Sequence, residues 1–397
     1  MIMSPNSRFR NLNLAALAAA ALLGLSACMT NDSLKDAPVT PVTQVAPDKK
    51  DSLKDVPVAQ VAPDKAFVLA LTSDYTTTGS FSAFGIDSDF TRKDIEPINS
   101  DAVVRYLGGD DIYILNRFGR DNLQVVDRHK LTTVGQIPFP TLSNPYDIAE
   151  KDGLLYVGFY GSYAKIGVYS LKTLAMVDSI DLSAQADTVD HFPETTELLV
   201  IGNTLYALLG NMNNTTYQPL QARLARIDLA TKSVTAVDLP FGQPVSLAYD
   251  ADANKLYIPC RGAFFKPGSF TNLELDGGIV SVRLSDFKVA DTLATEAGLK
   301  GSLGKAFLND GRLIMDLTTA TDEKIESISL KDGKSEDWAS IKSYDLSGMD
   351  IDGKNDILYV GDRTNGLRFF DLKTGKEKDG SKVKLGGVPI TSLAVIR

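Results

Sequence analysis

Histidine, cysteine and tryptophan are nearly missing from this 397-residue chain, with two, two and one of each. Two cysteines cannot build a disulfide framework, and two histidines cannot build a histidine-rich metal centre. An excess of basic residues is missing too. Lys and Arg number 41 against 50 Asp and Glu, for a net charge of -9, which argues against a nucleic-acid partner. No phosphate loop, paired-cysteine motif or nucleophile elbow is present. The apolar run from Leu12 to Leu25 is short for a membrane span. What remains is 44% apolar and 23% charged, the composition of a soluble globular body with a sizeable core.

Arg8 and Arg10 precede that Ala- and Leu-rich run, the charged-then-apolar order of an export signal. It ends Leu25-Ser26-Ala27-Cys28, which resembles the lipobox of bacterial lipoproteins. The resemblance implies that residues 1–27 are a signal peptide cut before Cys28. It also implies that Cys28 carries diacylglycerol on its thiol and an acyl chain such as palmitate on its amine. Such chains, at roughly 0.8 kcal/mol per buried methylene, hold a protein to a membrane without a spanning helix. Met29, not Asp, follows the cysteine; by resemblance to enterobacterial sorting this implies the outer membrane, on either its periplasmic or its surface side. No further cofactor is expected. Residues 28–65 read as an extended tether, because Asp32-Ser33-Leu34-Lys35-Asp36 recurs as Asp51-Ser52-Leu53-Lys54-Asp55 amid proline and mixed charge.

Residues 66–397 repeat one unit. Its marker is an aliphatic-Tyr strand: Ile112-Tyr113, Leu155-Tyr156, Leu205-Tyr206, Leu256-Tyr257 and Leu358-Tyr359, with Val68-Leu69 and Leu313-Ile314 in the same place without the tyrosine. A tight-turn sequence such as Asp152-Gly153 or Asp310-Gly311 precedes each later marker. The stretch divides into seven units of about 47 residues, the size of a four-stranded propeller blade. Period-2 apolar patterning disfavours helical repeats, and a lone Trp338 disfavours WD40 and kelch propellers. The phrase Tyr113-Ile114-Leu115-Asn116-Arg117, continued by Asn122-Leu123-Gln124-Val125-Val126-Asp127, resembles the YVTN-type repeat of bacterial surface and periplasmic propellers. The expected fold is all-β, a seven-bladed β-propeller. Pro389 to Ile396 matches the innermost strand that precedes each marker, and the first marker has none before it. The C-terminal strand is therefore expected to complete the first blade and close the ring.

In such a blade, the loop entering the first strand and the loop joining the second to the third share one face, called upper here. Three insertions map there in neighbouring blades. Ser183 to Glu197 carries Asp187, Asp190 and His191; Asn211 to Arg223 carries Tyr217; Gly262 to Gly278 carries Phe264 and Phe265. Loops on a rigid scaffold collect binding residues; shielding of blade edges is the competing expectation. Five positions after the first marker residue stand Arg117, Tyr160, Arg261 and Arg363. Converging guanidinium groups make an anion site; pairing with Asp101, Asp147, Asp345 or Asp362 is the competing expectation. No metal site is expected, because the calcium-loop-like stretches at Asp250 and Asp350 lack the closing glutamate and sit at turns.

These residues favour a non-catalytic module at the bacterial envelope, held to the membrane by lipid and binding a protein, glycan or anionic ligand on its upper face. Two alternatives stand beside it: a lactonase-like hydrolase with a divalent cation in the channel, and an outer-membrane assembly factor.

Overall fold

The computed structural model describes residues 65–397 except 75, 87, 217, 268, 270–271, 344–345 and 386–387. Cys28, the tether up to residue 64 and Tyr217 lie outside the described residues.

Seven small antiparallel sheets succeed one another in a ring. Their innermost strands are Ile390–Ile396, Ala102–Arg105, Pro145–Lys151, Thr195–Ile201, Ala248–Asp250, Ser302–Asn309 and Leu346–Asp352, for blades one to seven. The marker residues form the second strands: Phe67–Ser73, Asp111–Asn116, Leu154–Phe159, Thr204–Leu209, Lys255–Cys260, Arg312–Thr318 and Ile357–Asp362. Blades two to six have four strands in their main sheets. Blade seven has three regular strands, and isolated bridges Leu367–Val383 and Phe370–Glu377 stand in for the fourth.

Alternation along the second strands explains the repeat. In blade one, Phe67, Leu69 and Leu71 pack toward Ile112 and Ile114 of blade two, while Val68 and Ala70 pack toward Tyr359 and Leu367 of blade seven. Each sheet thus buries both faces against its neighbours, as short sheets without another cover must. The marker tyrosine always takes the face toward the next blade. Tyr113 packs with Leu155 and Val157, Tyr156 with Leu205, Tyr206 with Leu256, Tyr257 with Leu313, and Tyr359 with Val395. Turns between first and second strands follow from their residues: Asp152 and Gly153 have φ of 52° and 76°, the two positive values a type I′ hairpin requires.

The ring closes as the sequence predicts. Ile390–Ile396 pairs antiparallel with Phe67–Ser73, from Phe67 opposite Ile396 to Thr72 opposite Ile390. A further backbone bond from Ser73 N–H to Pro389 O, 3.0 Å, extends the seam.

A second device ties the blades around the channel. One side chain in an inner strand, or just before it, accepts a backbone N–H from the same place in the following blade. Asp147 takes Leu198 (2.8 Å), Glu197 takes Leu247 (2.9 Å), Ser246 takes Ala306 (3.0 Å), Asp350 takes Val395 (2.8 Å) and Ser392 takes Val104 (3.2 Å). Five of the seven junctions are latched in this way. Blades two and six are the exceptions, and they carry Arg105 and Lys305 on their inner strands.

Candidate functional site

Arg117, Tyr160, Arg261 and Arg363 each directly follow the end of a second strand, at Asn116, Phe159, Cys260 and Asp362, so the strand ends deliver them to the upper face. Arg117 is neutralised there. Its Nη2 donates to Asp101 Oδ1 at 2.6 Å, and its guanidinium stands 4.7 Å from the centre of the Tyr146 ring. Tyr146 stacks on Tyr160, with centroids 5.0 Å apart and planes 30° apart. Tyr160 is the meeting point: burial pushes its phenol well above the ordinary range, and Tyr146, Glu194, Arg261 and Arg117 all act on it electrostatically.

Arg261 differs from Arg117. Its guanidinium lies 5.1 Å from the Phe264 ring centre, Nε is buried without a partner, and it forms no ion pair among the described residues. Phe264 is held edge-on to Phe265 at 4.5 Å, with Phe264 in the left-handed region at φ 59°. Arg363 stands apart from this group. It lines a cleft between blades seven and one with Lys384, Leu385 and Pro389. The structure therefore groups Arg117, Tyr160, Arg261 and Phe264, and leaves Arg363 elsewhere.

The first insertion is organised around its own acids. Asp187 Oδ1 accepts the Asp190 N–H at 3.2 Å, and Asp190 Oδ1 accepts the Phe192 N–H at 3.1 Å, so both shape the loop. Asn214 donates to Asp190 Oδ2 at 2.7 Å and to Glu194 Oε1 at 2.8 Å, and Met212 N–H donates to Glu194 Oε2 at 2.9 Å. Burial pushes the Glu194 carboxyl up to about 8, and the nearby Asp190 and Asp187 add to the shift. His191 is exposed, at φ 67°. The second insertion contains a short hairpin, Met212–Asn213 with Gln218–Pro219.

Sequence reasoning missed most of the channel. It assigned Glu197 to the first insertion, but the inner strand of blade four already begins at Thr195. Glu197 faces Lys305, Asp147 and Arg105, and burial pushes its carboxyl up to about 7. Arg105 donates to Asp147 Oδ1, an ion pair with the aspartate almost fully buried. Burial also raises Asp350, against the attraction of Lys305 and Arg105. Asp316, on the second strand of blade six, is pushed up to about 6 by burial, although Arg261 and Lys305 pull it down. A signal was available: alternation places one side of each inner strand toward the channel, and Arg105, Glu197 and Lys305 are charged residues within otherwise apolar strands.

A divalent cation does not fit this set. Asp147 is engaged by Arg105 and Leu198, Asp350 by Val395 and Ile351, and Glu197 by Leu247. Arg105 and Lys305 share the space, and no group of three acids, histidines or cysteines among the described residues is placed to hold a metal. Cys260, the last residue of the second strand of blade five, is fully buried, and burial raises its pKa strongly.

The fold and this mouth define a β-propeller with a charged, aromatic-lined upper channel. No protein-family model matches the chain, and no curated protein matches it. Among solved structures it is similar to a putative 6-phosphogluconolactonase of Bacteroides fragilis, at 15% identity and TM-score 0.59, covering 84% of this chain and 99% of that one. It is also similar to Kuenenia stuttgartiensis hydrazine synthase, at 14% identity and TM-score 0.54, covering 70% and 79%. At these identities the likeness is one of fold.

Proposed function

We propose that this chain is a lipid-anchored propeller of the bacterial envelope, with YVTN-like repeats, whose upper channel mouth binds an anionic ligand without chemistry of its own. The observation that carries the reading is Arg261. A guanidinium at a channel mouth, with a buried unpaired Nε and an aromatic face beside it, holds unspent capacity for a carboxylate or phosphate. Tyr160 and Phe264 supply the flanking surface. A protein or glycan bearing acidic groups satisfies the same chemistry. The test is a photo-crosslinking residue at Phe264 in intact cells, with mass spectrometry of the adduct. Arg261→Gln is expected to abolish the adduct, and capture indifferent to that change removes the reading.

A lactonase-like hydrolase is the second reading. The name of the Bacteroides structure favours it, as do channel carboxyls raised to about 7 at Glu197 and about 6 at Asp316, values suited to proton transfer near neutrality. Turnover of a sugar lactone by the purified chain, lost in Glu197→Gln, would put this reading first.

A further inference from the structure

Two tight turns on the upper face carry a bulky residue where the backbone calls for a small one. In blade two, the turn Arg117–Arg120 closes with the Arg120 N–H on Arg117 O at 3.4 Å, and Phe118 and Gly119 stand at φ 45° and 79°. In the loop leaving the same blade, the Ser143 N–H bonds Pro140 O at 3.1 Å, and Leu142 stands at φ 64°. Glycine or asparagine is the usual residue at such positions, because a larger side chain crowds its own backbone there. Elsewhere a bulky apolar residue at positive φ puts its side chain into the core or against a neighbour: Leu131 and Phe287 are buried, Leu174 and Phe264 half-buried. Phe118 and Leu142 are instead 55% and 41% exposed. Among the described residues, no other large apolar side chain combines such exposure with a left-handed backbone.

One buried carboxylate holds both turns. Asp121 accepts the Leu142 N–H on Oδ2 at 2.9 Å and the Asn144 N–H on Oδ1 at 2.8 Å. Phe118 precedes Asp121 by three residues, at most about 11 Å of chain, so the two exposed side chains belong to one patch. Blade three braces it from the other side. Tyr160, Gly161 and Ser162 donate their N–H groups to Asn144 O, Ser143 O and Leu142 O at 2.9, 2.9 and 3.0 Å. A Cβ at position 161 would fall 2.1 Å from Leu142 O, so this clasp needs glycine. Single exposed apolar residues are ordinary, but exposure on a strained backbone costs the free chain twice, and asparagine at either place would avoid both costs. A backbone already fixed lowers the ordering cost of an encounter. Charge narrows the partner. In loops 117–121, 139–144 and 160–164, Arg117 is paired with Asp101, and Asp121 is turned onto backbone N–H groups. Arg120 is exposed and forms no ion pair among the described residues. We propose that Phe118 and Leu142 are the apolar anchors of a docking surface on the upper rim of blades two and three, and that Arg120 selects a polypeptide partner in which Asp or Glu adjoins an apolar residue. The reading at Arg261 uses none of these groups, and its crosslinking test stands or falls separately.

The probe is a random dodecapeptide library displayed on phage and panned on the purified full chain. Enriched sequences should place Leu, Ile, Phe or Met within two residues of Asp or Glu. Fluorescence anisotropy of an enriched peptide should show affinity about tenfold or more weaker in Phe118→Asn and in Leu142→Asn, and several-fold weaker in Arg120→Gln. Both asparagine variants should unfold at the wild-type midpoint or about 1–3 °C above it, because asparagine accepts the left-handed backbone. That rise is the readout that a merely structural role would not give, and it separates lost binding from lost folding. Midpoints lowered in both variants would make the two side chains part of the packing and overturn the surface. Enrichment of basic or wholly polar peptides, no enrichment over the Phe118→Asn, Leu142→Asn double variant, or unchanged affinity in both single variants also overturns it. Binding to phosphatidylglycerol vesicles, or self-association in sedimentation, that is lost in Phe118→Asn would give the patch to a lipid surface or to a second copy, and the peptide assignment would fall.

Discussion

Arg105 of blade two and Asp147 of blade three form an ion pair inside the channel, and the free oxygen of the same carboxylate accepts the Leu198 N–H of blade four at 2.8 Å. One side chain therefore couples three consecutive blades. Removing a single partner of such a pair leaves the other charge facing the channel without compensation.

Asp147→Ala is accordingly expected to destabilise the protein by about 3 kcal/mol. The double variant Arg105→Ala with Asp147→Ala should cost less than the two single costs added together, because it also removes the stranded guanidinium. Denaturant unfolding of all three variants measures both statements, and simple additivity would contradict the coupling.

Deleting residues 390–397 removes the whole inner strand of blade one, and with it the pairing from Phe67 to Thr72. The expected result is cooperative loss of the ring, because blade one would be left with an unpaired inner edge and the apolar faces of Val68 and Ala70 uncovered. A truncated chain with an unchanged thermal midpoint would show that the seam is dispensable.

Glu194 gives a pH dependence with a definite sign. Its carboxyl rises from 4.5 to about 8 on folding, so between those values the folded state holds a proton that the unfolded state has lost. The stability linked to this proton is complete below pH 4.5 and is lost as pH rises toward 8. Glu197 and Asp316, raised to about 7 and about 6, act in the same direction. Thermal midpoints at pH 5, 7 and 9 should fall with pH, and less steeply in Glu194→Gln. Equal slopes would mean that this acid does not titrate in the window.

Cys28→Ser should release the protein from the membrane fraction and abolish incorporation of a radiolabelled palmitate, if the lipobox resemblance holds. Each acyl chain contributes on the order of 0.8 kcal/mol per methylene, so nothing short of losing the lipid should free the chain. Retention of Cys28→Ser in membranes at high salt would point to another anchor.

The architecture was readable because it repeats. Five aliphatic-Tyr markers in one chain act as their own alignment, and the structure gives the reason: each tyrosine fills the space against the following blade. The closing strand was readable for the same reason, as Pro389 to Ile396 repeats a pattern that blade one otherwise lacks. The site was only half readable. Marker spacing placed Arg117 and Arg261 at strand ends, but spacing does not say that Asp101 neutralises the first and that the second stays unpaired. Asp316 was out of reach, because its position depends on a glycine in the neighbouring strand. Glu197 was hidden by an insertion whose end was set three residues late.

Trp338 stands on the outer strand of blade six, Ser335–Ser343, and packs with the core that blade six shares with blade seven, including Leu358 and Phe370. At that junction Lys305 stands where other blades carry a channel-side latch, and a Glu323 carboxylate oxygen of blade six accepts the Leu346 N–H of blade seven instead. The sole indole thus works as a built-in optical gauge on this segment of the wheel. A shift in its emission should register slackening between those two sectors.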